Sequence, residues 1–248
     1  MLSIRKNIYN GLTINPESIL KISLSDFKIS LEKLLQDAKD DNISLLWLDL
    51  TTSQYEHISF ALSLGFEFHN CEATRTTLTY RVQKDAYIPV APTHTIGVGA
   101  VVINKKSEIL LVRDKIHTSN SIYKLPGGML EEAQSLEDGI LREVWEETGI
   151  RTKLIKMVSV LNSHPYRFNK SNMYIVFQLE PLSSEINIID THEIEKALWM
   201  PLEEFYAHEE MSEFQKDLVS SALSHEGLKL SLKDIYFPPK KKHIEIYC

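Results

Sequence analysis

The sequence predicts an α+β chain of two domains, a small β-α-β-α-β unit followed by a larger domain that carries the chemistry. Three observations lead there. Short apolar runs alternate with helix-spaced stripes as far as about Val82. Residues 83–95 contain Pro89 and Pro92 and have no apolar period, so they read as a linker. Beyond them, strand-like runs lead into Gly127-Gly128 and then into a helix crowded with carboxylates.

In the first domain, residues 8–14 alternate like a strand. Phe27, Leu31, Leu34, Leu35 and Ala38 recur at helical spacing across 25–38. Residues 44–50, containing Trp47, are short and apolar, which suits a buried strand. A second helix is expected over 54–64, closed by Gly65, and a further strand over 76–82. In the second domain, strands are expected at 96–103, 109–112, 154–161, 173–179 and 197–200, with helices near 202–208 and 212–223. The expected division is 1–82 for the first domain, 83–95 for the linker, 96–225 for the second domain and 226–248 for an appended tail. Lys240, Lys241 and Lys242 in that tail are expected to be solvated, and His57 and His69 to be packing or surface residues.

Composition excludes several classes. A net charge of −7 argues against a protein that coats nucleic acid or an anionic membrane. Cys71 and Cys248 stand far apart without a CxxC, which excludes a disulfide framework or structural zinc and fits a reducing compartment. No apolar run reaches the roughly 18 residues of a membrane span, and the opening residues lack the apolar core of a signal peptide. The expected location is the cytoplasm.

Residues 127–150 read GGMLEEAQSLEDGILREVWEETGI. Ser135 followed by Asp138 is a helix-start signature, and Leu136, Ile140 and Val144 give the helix a buried stripe. Gly149 sits where a left-handed cap would end it. Glu143, Glu146 and Glu147 therefore share one face. Like charges at that spacing repel by a few tenths of a kcal/mol per pair (roughly, on an isolated helix). From Glu131 to Glu147 seven acids face a single base, Arg142. Hard oxygen ligands clustered beside a glycine loop suit Mg²⁺ or Mn²⁺ with a phosphate substrate.

This segment resembles the Nudix box, in which a Gly, an Arg-Glu pair, a Glu-Glu pair and a closing Gly-aliphatic stand at fixed spacing. Gly128, Arg142, Glu143, Val144, Glu146, Glu147, Gly149 and Ile150 all fall on its positions. The resemblance implies a Nudix α/β/α sandwich with a mixed sheet over roughly 94–225. It also implies divalent-metal-dependent hydrolysis of a pyrophosphate bond. Glu143 and Glu147 are implied as metal ligands, Glu146 as a further ligand or water-orienting group, and the Gly127 carbonyl as facing the metal. Glu193 is the implied loop carboxylate, with Glu195 as the fallback. One position departs from the pattern. Gln134 stands where the box has its first Glu, a partner of the Arg, and Gln can brace Arg142 without charge assistance.

Residues 163–171, SHPYRFNKS, resemble a motif that follows the box in NADH-cleaving Nudix enzymes, matching at Ser163, Pro165, Phe168 and Ser171. His164, Tyr166 and Phe168 are the expected substrate contacts, and Arg113 the expected phosphate contact. The first domain is similar to the pre-Nudix domain of certain plant and animal proteins, through Trp47-Leu48-Asp49-Leu50 and the run from Ala61 to His69. Its texture also resembles half of an acetyltransferase fold. Together these imply ADP-ribose or NADH as substrate, with AMP released. The alternatives are a pyrophosphatase on a dinucleoside polyphosphate or damaged nucleoside triphosphate, or a non-catalytic nucleotide sensor. The first domain is expected to do no chemistry of its own and either to pair two chains as a homodimer or to gate the Nudix site.

Overall fold

A computed structural model describes residues 2–116, 122–237 and 240–247, with backbone alone at 230–237 and 240–246. The chain divides into two compact units, Met1–Pro92 and Thr93–Cys248.

The first unit runs β1 (Ile4–Lys6), β2 (Gly11–Ile14), α1 (Pro16–Ile19), α2 (Leu24–Asp40), β3 (Leu45–Thr51), α3 (Tyr55–Ser63), β4 (Glu67–Cys71) and β5 (Arg75–Arg81). Its strands form one sheet in the order β1-β2-β3-β5-β4, parallel between β2 and β3 and antiparallel elsewhere. Five strands stand where three were expected. β1 and β4 lack alternation and are mostly exposed, so no apolar period marked them. The helix stripe is as expected: Phe27, Leu31, Leu34, Leu35 and Ala38 of α2 pack with Ile14, Leu46, Leu48 and Leu78 of the sheet. His57 lies against Phe27 and His69 against Trp47, both as packing residues.

Residues 83–92, read as linker, belong to this unit. Gln83 bonds Asn42 and Ser44, and Tyr87 meets Tyr9 with ring centroids 5.9 Å apart.

The second unit begins with β6 (His94–Val102), β7 (Glu108–Asp114), β8 (Gly127–Met129) and α4 (Leu136–Thr148). It continues with β9 (Thr152–Ser163), a 3₁₀ turn (Arg167–Asn169), β10 (Ser171–Pro181), β11 (Ile194–Pro201), α5 (Leu202–Ala207) and α6 (Glu213–Ser224). The main sheet has the order β8-β6-β10-β9, with β6 and β10 parallel and the other pairs antiparallel, so it is mixed. β7 pairs with β11 in a second, antiparallel ladder. Strand alternation builds a core on each side. Val98, Ala100 and Val102 pack with Ile140 and Val144 of α4, while Val101 packs with Phe205 of α5 and Leu218 and Val219 of α6. The result is the α/β/α sandwich with a mixed sheet.

The segment after 226, expected as a tail, instead forms an antiparallel hairpin of β12 (Leu230–Phe237) and β13 (Lys240–Tyr247). It is attached through the Met157–Leu228 bridge and through Tyr247, whose ring lies 5.5 Å from that of Phe177. The side chains of Lys240, Lys241 and Lys242, and Cys248, lie outside what the structure describes. No helix among the described residues is long and apolar enough to cross a membrane.

Candidate active site

The site is organised by α4, which is capped at both ends. Ser135 Oγ accepts the Asp138 amide at 3.0 Å, and Gly149 ends the helix at φ 74°. Burial of Ile140 and Val144 fixes the rotation of the helix, and this turns Glu147 inward, where it is only 4% exposed. A carboxylate so buried needs donors. The Gly127 amide supplies one, at 2.7 Å from Glu147 Oε2. The loop can close this way only with glycine. Gly127 sits at φ 149°, and a Cβ there would lie 2.2 Å from the Val98 carbonyl oxygen. A Cβ on Gly128 would lie 2.6 Å from Glu143 Oε2.

Arg142 is the brace of the helix face. Its Nη1 donates to Glu146 at 2.7 Å, and its Nη2 donates to Glu143 at 2.9 Å, the Met129 carbonyl at 3.1 Å and Gln134 Oε1 at 3.2 Å. Gln134 also accepts the Glu131 amide at 3.1 Å, so it ties Arg142 to the loop before the helix.

Three carboxylates converge beside this face. Asp114 from the end of β7, Glu147, and Glu193 from the loop before β11 each offer an oxygen within 4.8 Å of the others. The Glu193 loop is anchored to α4. The Asp190 amide donates to the Glu146 carbonyl at 2.8 Å, and Asp190 Oδ1 accepts the Glu193 amide at 3.2 Å. Lys124 Nζ stands among the three, 2.8 Å from Asp114, 3.4 Å from Glu147 and 3.8 Å from Glu193.

The pocket thus already accommodates a positive charge, and its donors are all hard oxygens, which fits a small divalent cation. Burial pushes the Glu147 carboxyl up to about 8, against Lys124 and the Gly127 amide, and Glu143 and Glu193 nearby add to the rise. Burial also raises Glu143, opposed by Arg142. Burial raises the Tyr174 phenol too, with Glu147 and Glu143 adding to the effect. Each shift favours the neutral form, and a cation bound beside Glu147 and Glu143 would favour their charged carboxylates instead.

A cavity of about 530 Å³ opens over the cluster, lined in part by Asp114, Lys124, Glu143, Tyr166, Arg167 and Glu193. That volume is within the range that takes a nucleotide-sized ligand.

Family comparisons agree with this architecture. A model described as NUDIX domain matches residues 93–221, and one described as Nudix hydrolase domain matches residues 2–82. The chain belongs to the Nudix hydrolase family. Among its relatives, Nudix hydrolase 8 of Arabidopsis thaliana is 35% identical over 76% of this chain and 49% of its own length. Nudix hydrolase 2 of the same plant is 33% identical over 80% of this chain and 77% of its own. Human nucleoside diphosphate-linked moiety X motif 6 is 33% identical over 75% and 60%. The chain therefore spans about half the length of the first of these.

Within this Nudix site the expected residues are distributed unevenly. Glu147 and Glu193 meet in the cluster, Glu143 lines the cavity, and Glu146 is held by Arg142 beside it. Gly127 lines the cavity, and its amide donates to Glu147. Tyr166 lines the cavity, whereas Phe168 is 92% exposed and His164 is exposed beside Ser171 Oγ at 3.2 Å; neither is among the lining residues. Arg113 is absent from the lining too. Its guanidinium is bonded to Glu195 at 2.9 Å and lies over the Tyr123 ring, because neighbouring strand residues point to opposite faces and Asp114 takes the cavity side. Sequence reasoning missed Asp114, Lys124, Arg167, Asn172 and Tyr174, all of which line the cavity. An acid at the end of a strand that precedes a glycine loop was the one available signal for Asp114.

Proposed function

We propose that this chain hydrolyses the pyrophosphate bond of a nucleoside diphosphate linked to another group, with ADP-ribose or NADH as substrate and AMP as product. The observation that carries the reading is the convergence of Asp114, Glu147 and Glu193 beside a cavity that also contains cationic side chains. The name of the human relative, nucleoside diphosphate-linked moiety X motif 6, points to the same substrate class.

Glu143, Glu147 and Glu193 are the proposed ligands of Mg²⁺ or Mn²⁺, and Asp114 joins them by its position. A divalent cation supplies neutralisation of the phosphate oxygens and acidifies water. The chain's own residues do the rest. Glu193 reaches the cavity from the loop before β11, where it would hold the cation and orient water entering there. Arg142 keeps Glu143 and Glu146 aimed, and Glu146 completes the catalytic set from the edge of the helix face. Tyr166 offers its ring to a base or nicotinamide. In the N-terminal unit the outer strands β1 and β4 have open edges, which favours pairing of two chains there.

The test is AMP release from ADP-ribose, NADH, ATP and a dinucleoside polyphosphate with Mg²⁺ or Mn²⁺, with sedimentation of the same sample. ADP-ribose and NADH are expected to be cleaved fastest, by a dimer. A triphosphate or dinucleoside polyphosphate cleaved faster would remove the substrate assignment, and a monomer would remove the pairing role.

A further inference from the structure

Among the described residues, three cationic side chains line the cavity: Lys124, Arg142 and Arg167. Two of them are already committed to carboxylates. Lys124 sits among Asp114, Glu147 and Glu193, and Arg142 among Glu143, Glu146 and Gln134. Arg167 is different. Its guanidinium contacts no carboxylate among the described residues, and its partner is the face of Tyr166, with Cζ 5.7 Å from the ring centroid. Both members of that pair line the cavity.

The turn that carries them is held in one shape. The Tyr166 amide donates to the Lys170 carbonyl at 2.8 Å, and the Asn169 amide to the Tyr166 carbonyl at 3.2 Å. Phe168 and Asn169 both sit at φ 55°, a left-handed conformation unfavourable for a phenylalanine. The reversal throws Phe168 into solvent, while Tyr166 and Arg167 stay on the cavity side.

A cavity whose lining also carries Asp114, Glu131, Glu143 and Glu193 repels a diphosphate unless positive charge faces the ligand. The chain provides that charge where it is uncommitted. We propose that Arg167, seated on Tyr166, binds the diphosphate of the substrate through its guanidinium fork and so selects ligands that carry one. This assignment rests on the reaction proposed above and replaces Arg113 as the phosphate contact. A planar guanidinium matches two phosphate oxygens at once, which an ammonium does not.

The experiment is titration of α,β-methylene-ADP, whose diphosphate linkage resists cleavage, into the full chain with Mg²⁺ at several salt concentrations. Wild type, R167A, R167K and F168A are compared, with thermal unfolding as the check on folding. R167A is expected to bind about tenfold more weakly or worse, with a shallower salt dependence and an unchanged melting temperature. R167K should fall between R167A and wild type, and F168A should match wild type. With ADP-ribose, KM should rise in R167A while kcat stays within a factor of about three. An R167A protein with wild-type affinity and salt dependence overturns the assignment and leaves the proposed reaction standing. A wild-type chain that fails to bind the analogue and leaves ADP-ribose and NADH intact overturns the proposed reaction, and this assignment with it.

Discussion

One wall of the cavity is made by α4, the Gly127-Gly128 loop and the end of β7; another is made by Tyr166 and Arg167, where the turn at 167–169 begins. On the first, Glu147 is buried and bonded to a backbone amide, and Arg142 makes four hydrogen bonds. On the second, Arg167 is exposed and rests on one aromatic ring. A wall held by many bonds fixes atoms to fractions of an ångström, as phosphoryl chemistry requires. An exposed loop on a rigid scaffold can change its side chains without disturbing that geometry. On the function proposed above, the difference separates turnover, on the first wall, from substrate choice, on the second.

The largest expected effect breaks the first wall. Glu147→Gln keeps the size of the side chain and an oxygen to accept the Gly127 amide, but removes the charge. Turnover should fall on the order of 100-fold or more, with the fold retained. The same variant tests the burial of this carboxyl. Its pKa is about 8 in the folded, metal-free chain, against 4.5 unfolded, so the folded chain holds the proton more tightly. The stabilisation is full below about pH 4.5 and is lost as pH rises through about 8. Melting temperatures in EDTA should therefore decline from pH 5 to pH 9 in wild type and decline less in Glu147→Gln. Added Mg²⁺ should restore the loss at pH 8. A wild-type profile as flat as the variant's would show that Glu147 is not held protonated.

The first wall was also the legible one. Ser135, the Ile140–Val144 stripe and Gly149 are local signals, and they define α4 and its acidic face from sequence alone. Asp114 and Lys124 were not legible. They meet because the segment at Lys124 returns to β7, where the amide of each of Val112 and Lys124 donates to the other's carbonyl. Residues 109–112 are buried on both faces, so alternation could not tell that Asp114, rather than Arg113, faces the cavity. The turn at 167–169 has positive φ at two residues and follows neither periodicity. Its motif resemblance located the segment but put Phe168 in the site where Arg167 stands. In the N-terminal unit, β4 escaped because its burial does not alternate.

A smaller effect sharpens the comparison on the second wall. Tyr166→Ala removes both a stacking surface and the seat of Arg167, so KM for ADP-ribose should rise by about tenfold with kcat little changed. Phe168→Ala, two residues away and directed into solvent, should leave both constants within about twofold. Equal effects of the two variants in steady-state assays would erase the distinction between the inward and outward residues of the turn.

The smallest effect belongs to the position that departs from the box. Gln134 Oε1 accepts from Arg142 at 3.2 Å and from the Glu131 amide at 3.1 Å, and both contacts survive in Gln134→Glu. The new charge would strengthen the bond to Arg142. That guanidinium is already paired with Glu143 and Glu146, however, and the added carboxylate joins a helix face that is already acidic. The two effects oppose each other at a half-buried position, so the net change in stability should be within about 1 kcal/mol by chemical denaturation. Turnover should stay within about threefold of wild type, since Arg142 holds the same carboxylates either way. A large gain in turnover from this single change would mean that the natural brace leaves Glu143 or Glu146 misaligned, and that the first wall is less firmly held than its hydrogen bonds indicate.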